Sequence, residues 1–249
     1  MAAKQRGSKV RASAAQPSPP ADTAWTSLSQ QIIDCERCPR LRTYCRQVAA
    51  ERRKAFLDWN YSGRPVPNFG DPRARLLIVG LAPAAHGANR TGRVFTGDRS
   101  GDWLYRALHR AGFANQAEAH SMDDGLQLFD CAITGVCHCA PPDNKPAPEE
   151  VLSCQIWLQQ TIDILPTKVF LALGGIAWRS TVLELARRGW LGKVRPKFGH
   201  GAAVSVGAGR WLLGCYHPSQ QNTFTGRLTE QMLDDVFSQA RALVSGKTP

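Results

Sequence analysis

GLAPAAHGANRTGRVFTGDRSG, Gly80–Gly101, is the stretch whose reading decides the fold. It follows Arg75–Val79 (RLLIV), a short apolar run with the length and composition of a buried strand. It precedes Asp102–Ala111, where Trp103, Leu104, Ala107, Leu108 and Ala111 fall on one helical face before Gly112 ends the pattern. A loop of about twenty residues inside a strand–helix unit is uncommon, and such loops are usually functional. It leaves the carboxyl end of a strand, where open α/β sheets bind their ligands. Gly80, Gly87, Gly92 and Gly97 let the backbone approach a ligand closely, and Arg90, Arg93 and Arg99 add positive charge. Asp98 is the lone carboxylate, and its plainest role would be to cap the following helix. The glycine spacing fits neither the dinucleotide nor the Walker fingerprint. The stretch reads as a binding loop carrying one poised acid.

Outward from the loop, strand and helix patterns alternate. Leu126–Val136 reads as a second strand, Lys168–Leu173 as a third and Arg210–Tyr216 as a fourth. Helices are expected from Pro148, over Ile176–Arg188 and over Leu228–Val244, with another near Trp25–Asp34 burying Trp25, Leu28, Ile32 and Ile33. Pro65–Pro72 reads as turns and Gly189–Gly207 as a basic, glycine-containing connection. The pattern predicts an α/β three-layer sandwich, a mostly parallel four-stranded sheet flanked by helices, with a cysteine-bearing subregion. The first strand ends in the loop of Asp98, the second in a proline-rich turn with Asn144, and the fourth in His217-Pro-Ser. In a parallel sheet these ends converge on one edge, which makes Asp98, Asn144 and His217 the candidate chemical groups. Residues 1–24, rich in Ala, Ser, Pro, Lys and Arg, read as a disordered basic tail, leaving 25–249 as a single domain.

The chain has 31 Lys and Arg against 20 Asp and Glu, a net charge of +11, which points first to nucleic acid as partner. Lys4, Arg6, Lys9 and Arg11 carry part of that charge, but most lies on the folded portion. No apolar run is long enough to span a membrane and no secretory leader is evident, so a soluble cytoplasmic monomer is expected, nucleoid-associated if bacterial. In such a protein eight cysteines suggest metal binding rather than disulfides. Cys35-Glu-Arg-Cys38 has ligand spacing, and Cys139 with Cys154 is the best completing pair. Cys137 and Cys45 compete with these, since spacing alone does not choose. Cys131 and Cys215 lie within apolar strands and read as core. Four thiolates suit zinc or an iron–sulfur cluster.

Assembled, these segments resemble the uracil-DNA glycosylase superfamily, and its family 5 branch in particular. The Gly80–Gly101 stretch is similar to that branch's first motif, and His217–Thr229 (HPSQQNTFTGRLT) to its last. Cys35–Pro39 and Cys139–Cys154 (CAPPDNKPAPEEVLSC) are similar to the cysteine framework of families 4 and 5. The resemblance spans roughly Cys35 to Thr229 and implies a [4Fe–4S] cluster on Cys35, Cys38, Cys139 and Cys154. It implies a DNA repair enzyme that flips uracil or another damaged base from DNA and leaves an abasic site without breaking the strand. Asp98 would be the acid and His217 the donor to the departing base, with Asn144 placing water or the base edge. Phe95 would stack on the base, and Arg227 would meet phosphate beside a wedge segment in which Phe224 is the obvious aromatic. Family 4 carries an acid where this chain has Leu81 and a uracil-reading Asn where it has Gly135. Lesions beyond uracil, including hypoxanthine and ethenocytosine, are therefore expected substrates. The reading from a different class is a non-catalytic, zinc-dependent nucleic-acid-binding protein.

Overall fold

The computed structural model describes residues 21–247. The first twenty residues of the expected tail lie outside that range. Residues 21–24 do not continue it: they open helix α1 (Ala21–Ile33), which buries Leu28 and Ile32 while Trp25 and Ile33 stay half-buried. Helix α2 (Pro39–Glu51) follows at once, with proline in its first turn, where a missing N–H costs nothing. The chain then passes through a short 3-10 turn (Lys54–Phe56) and the two-residue strand β1 (Phe69–Gly70) into β2 (Leu76–Gly80). The long loop after β2 contains a single helical turn, α3 (Ala88–Thr91), and ends at helix α4 (Arg99–Arg110). Next come β3 (Cys131–Gly135), α5 (Pro148–Ile164), β4 (Val169–Leu173) and α6 (Gly175–Arg187). Strands β5 (Ala203–Ser205) and β6 (Trp211–Cys215), the short α7 (Gln220–Phe224) and α8 (Glu230–Val244) complete the chain.

The sheet has six strands in the order β1-β3-β2-β4-β6-β5 rather than the four expected. The four central strands are parallel and are the ones the apolar runs mark; β1 and β5 are short antiparallel edges. Alternation along β2 builds both cores. Leu76 and Ile78 face a layer that includes Leu104, Leu108, Val236 and Phe237 of α4 and α8. Leu77 and Val79 face Leu28, Ile32, Leu158, Trp178 and Leu185 of α1, α5 and α6. These strand residues are fully buried, so each contributes on the order of 1.5–3 kcal/mol relative to exposure. Because the chain runs from β2 to β3 on one side and later to β4 on the other, the sheet reverses its winding beside β2. The carboxyl end of β2 therefore opens the crevice in which this architecture binds ligands.

A buried ion pair anchors the loop after β2. The Arg93 guanidinium meets both Asp124 oxygens at 2.8 and 2.6 Å, with side chains only 4% and 11% exposed. Asp124 also accepts from the backbone N–H groups of His120, Ser121 and Leu126. Burial alone would raise its pKa, but Arg93 and these N–H groups hold the carboxyl well below the usual range. Asp124→Asn leaves the Arg93 charge without its partner and is expected to cost about 3–5 kcal/mol in urea unfolding at neutral pH. The folded pKa is depressed, so this stabilisation is present above the unfolded carboxylate value of about 4 and fades as pH falls below it. The variant should lose that part of the acid dependence, and a loss under about 1 kcal/mol would show that the pair does not anchor the loop.

Candidate active site

Asp98 sits where the loop turns into α4. Its Oδ1 accepts from the Gly101 N–H at 3.1 Å, so it does cap the helix, as its position suggests. Its other oxygen lies against Gly87, where any Cβ would collide with it, so glycine is required there to admit the carboxylate. Although its edge reaches solvent, burial raises the pKa of Asp98. The Gly101 and Ser100 N–H groups pull it down, Asp102 pushes it up and Arg90 pulls it down. A carboxylate that is partly desolvated yet ringed by N–H donors is a group tuned by its surroundings.

Phe95, three residues earlier, adopts a φ of +51°, a left-handed backbone that is unusual for an aromatic residue. The ring lies over Gly80 at the end of β2, where a Cβ would come within 2.8 Å of it. The strained turn thus lays an aromatic face across the mouth of the sheet. His217, just past β6, closes the other side, its ring centroid 5.7 Å from that of Phe95 at an interplanar angle of 31°. Its Cβ is 3.5 Å from where a side chain on Gly174 would begin, which puts His217 beside the end of β4. Burial pushes the imidazole down to about 4, so it is neutral at physiological pH and offers one N–H and one lone pair. The carbonyl of His217 accepts from Asn222 Nδ2 at 2.8 Å, and α7 is capped by the Ser219 hydroxyl, so the turn after His217 is rigid.

The structure thus gathers Asp98, Phe95 and His217 around one edge of the sheet. Asn144 follows β3 on the same edge, but its side chain is exposed at the end of a proline-flanked turn, with φ +55°. Among the described residues it shares no hydrogen bond with Asp98 or His217. Arg227 is exposed, its guanidinium 4.7 Å from the Tyr216 ring, and Phe224 is 66% exposed with Arg99 over its face at 4.5 Å. Sequence reading missed Phe56, Trp59 and Tyr61, which approach the loop from the segment between α2 and β1. Tyr61 Oη lies 3.1 Å from His86 Nδ1 in the loop. No local pattern reveals this, since the contacts join residues 25 or more positions apart.

The cysteines form a second centre behind the β3 end. Cys35 follows α1, Cys38 caps α2, Cys139 lies in the turn after β3 and Cys154 is in the second turn of α5. These four line one cavity together with His138 and Trp157. Cys45 and Cys137 are outside that lining, and the Cys45 thiol donates instead to the Ala140 carbonyl at 3.6 Å. Burial pushes the Cys38 thiol up, and the neighbouring Cys154 and Cys35 push it further against a lowering hydrogen bond from Ser153. Trp157 Nε1 and His138 Nε2 are buried without partners. Glu150 locks the starts of α2 and α5 together, accepting Arg40 Nε and Nη2 at 2.8 Å each. Among the described residues, no three His, Cys, Asp or Glu side chains are arranged to hold a single ion as they stand. No helix is long and apolar enough to cross a membrane, again among the described residues.

A doubly wound sheet carries a strained aromatic over the end of a central strand, with an acid and a neutral histidine on the same edge, in a basic protein. The Uracil DNA glycosylase superfamily profile matches residues 67–241, and the chain belongs to that superfamily. Within it the chain groups with the type-5 proteins. It is 53% identical over 87% of its length, and 80% of the relative, to the type-5 uracil-DNA glycosylase of Mycobacterium tuberculosis. With that of Thermus thermophilus it shares 45% identity over 86% of this chain and 95% of the relative. A type-4 uracil-DNA glycosylase of Pyrobaculum aerophilum is more distant, at 30% over 77% of this chain and 81% of the relative.

Proposed function

We propose that the protein is a monofunctional glycosylase that hydrolyses the N-glycosidic bond of uracil in DNA, and that hypoxanthine and ethenocytosine also enter its pocket. The carrying observation is the meeting of Asp98, Phe95 and neutral His217 at the carboxyl edge of the sheet. Cleavage builds positive charge on the sugar and negative charge on the leaving base. Asp98 opposes the first and activates water, while the N–H of His217 meets the second without a proton having to leave. Phe95 stacks on the base once it has left the duplex. Asn144, exposed on its rigid turn, reaches water or the base edge from the open side. Phe224 fills the vacated stack and Arg227 holds phosphate. Leu81 stands where family 4 carries an acid and Gly135 where it carries a uracil-reading Asn, which supports a broader substrate range.

The four thiolates of Cys35, Cys38, Cys139 and Cys154 would hold a [4Fe–4S] cluster. The donor set fits: soft ligands around one cavity, with the unpaired Trp157 N–H beside them to meet sulfur. Such a cluster would tie the ends of α1, α2, the β3 turn and α5 together as structural support, with the bond cleavage left to the residues at the sheet edge. A zinc-binding protein without catalysis would leave Asp98, Phe95 and His217 without a use.

Duplexes carrying one uracil, hypoxanthine or ethenocytosine, compared under single-turnover conditions, test the substrate range. Abasic sites are expected from all three, and release of uracil alone would restrict the pocket to that base. His217→Ala is expected to slow uracil excision about 10²–10³-fold, the usual effect of removing one donor to a developing anion. An unchanged rate would remove His217 from the reaction.

A further inference from the structure

Arg90 is the feature the reaction has not yet used. It is 3% exposed, and its guanidinium is held between two aromatic rings, 4.0 Å from the centroid of Phe56 and 4.0 Å from that of Trp59. Its Nε donates to the His86 carbonyl at 2.8 Å and its Nη2 to the Gly97 carbonyl at 3.0 Å. One side chain therefore ties the start of the loop to the residue immediately before Asp98. Glycine is needed at 97, where φ is +81° and a Cβ would lie 2.5 Å from Arg90 Nη2. Arg90 Nη1 is buried with no partner. A buried cation left one donor short is costly unless something nearby uses its charge.

We infer that Arg90 is a positioning residue for Asp98. It fixes the Gly97 carbonyl so that the carboxylate sits over Gly87, and its charge works against the burial that raises the pKa of that carboxylate. The inference rests on Asp98 being the reacting acid. The charged and titratable neighbours of Asp98 are Arg90 on α3 and Asp102 on α4, with Tyr61 and His86 standing behind Arg90. Arg90 and Asp102 act on the acid in opposite directions. The aromatic clamp also has a source. Ser62 and Gly63 donate to the carbonyls of Arg90 and Asn89 at 2.9 and 3.0 Å, and Asn89 Nδ2 reaches the Cys45 carbonyl at 3.4 Å. The segment that follows the cysteine-bearing helix α2 thus holds the acid in place through Arg90.

Single-turnover uracil excision by the full-length, cluster-loaded protein from pH 5 to 9 tests this, using Arg90→Gln, Arg90→Lys and Asp98→Asn with melting temperatures recorded. Arg90→Gln is expected to slow excision at pH 7 at least tenfold and to move the acid limb to higher pH, with DNA affinity unchanged within about twofold. Arg90→Lys keeps the charge but spans the two carbonyls poorly, so its acid limb should stay near wild type while its maximal rate falls. A wild-type rate and limb in Arg90→Gln would overturn the inference. Should Arg90→Gln fail to fold, Arg90→Lys decides, and a wild-type maximal rate there would overturn it equally. An Asp98→Asn variant with full activity would instead refute the acid assignment. An inactive Asp98→Asn beside an unaffected Arg90→Gln would refute the role of Arg90 alone.

Discussion

Asp98→Asn is expected to slow single-turnover uracil excision by about 10²–10⁴-fold while leaving the fold intact and DNA binding within about twofold of wild type. The substitution separates the two jobs of this residue. Asparagine caps a helix as well as aspartate does, so the bond from the Gly101 N–H to Oδ1 survives. What disappears is the negative charge that, in the proposed reaction, opposes the developing sugar cation and draws the proton from water. Stability should move in the opposite direction to activity. Burial, the largest influence on Asp98, raises its pKa in the folded state, so the fold favours the protonated form and ionisation costs stability at neutral pH. The variant should melt at the same temperature as wild type or higher, as expected where an active site trades stability for function. In the wild type, the same raised pKa shifts the acid limb of the rate to higher pH than an unperturbed carboxylate would give. A variant that melts early and is slow would point to lost capping rather than lost chemistry.

Cys154→Ser has the second large expected effect, read in iron content and melting temperature. Cys154 projects from α5 one turn before Trp157 and Leu158, which pack into the core on that face of the sheet. Losing one of four thiolates from a closed site should release the cluster, bleach the protein and lower its melting temperature by several degrees. Cys215→Ala is the matched control, a buried thiol at the end of β6 that is absent from the cavity lining. It should keep its iron whatever packing it loses. A Cys154→Ser protein with full iron would overturn the ligand set.

What was legible in the sequence follows from which interactions are local. Strands β2, β4 and β6 are buried on both faces and are written as continuous apolar runs, so they stand out. Strand β3 is shorter than the run Leu126–Val136 suggests because Asp130, at φ +55°, turns the chain just before it. The edge strands β1 and β5 escaped notice because strands of two or three residues, none fully buried, carry no readable alternation. Helix α4 begins three residues before the expected start at Asp102 because Asp98 caps it, so the candidate acid also sets the helix start. The convergence of Asp98 and His217 was legible because parallel strands place their carboxyl ends on one edge. The choice among Cys45, Cys137 and Cys139 was not, since it depends on how α1, α2 and α5 meet. The role of Arg90 was hidden for the same reason: its partners Phe56 and Trp59 lie far from it in the chain and meet it only through the tertiary fold.

The most direct measurement is the chromatographic recovery of free base from a uracil-containing duplex treated with excess purified protein, with the DNA strand sized before and after alkali. The predicted result is one free uracil per alkali-labile site, from a strand that is intact until alkali is added. Tight binding with no uracil released, or a strand already broken before alkali, would contradict a monofunctional glycosylase centred on Asp98 and His217.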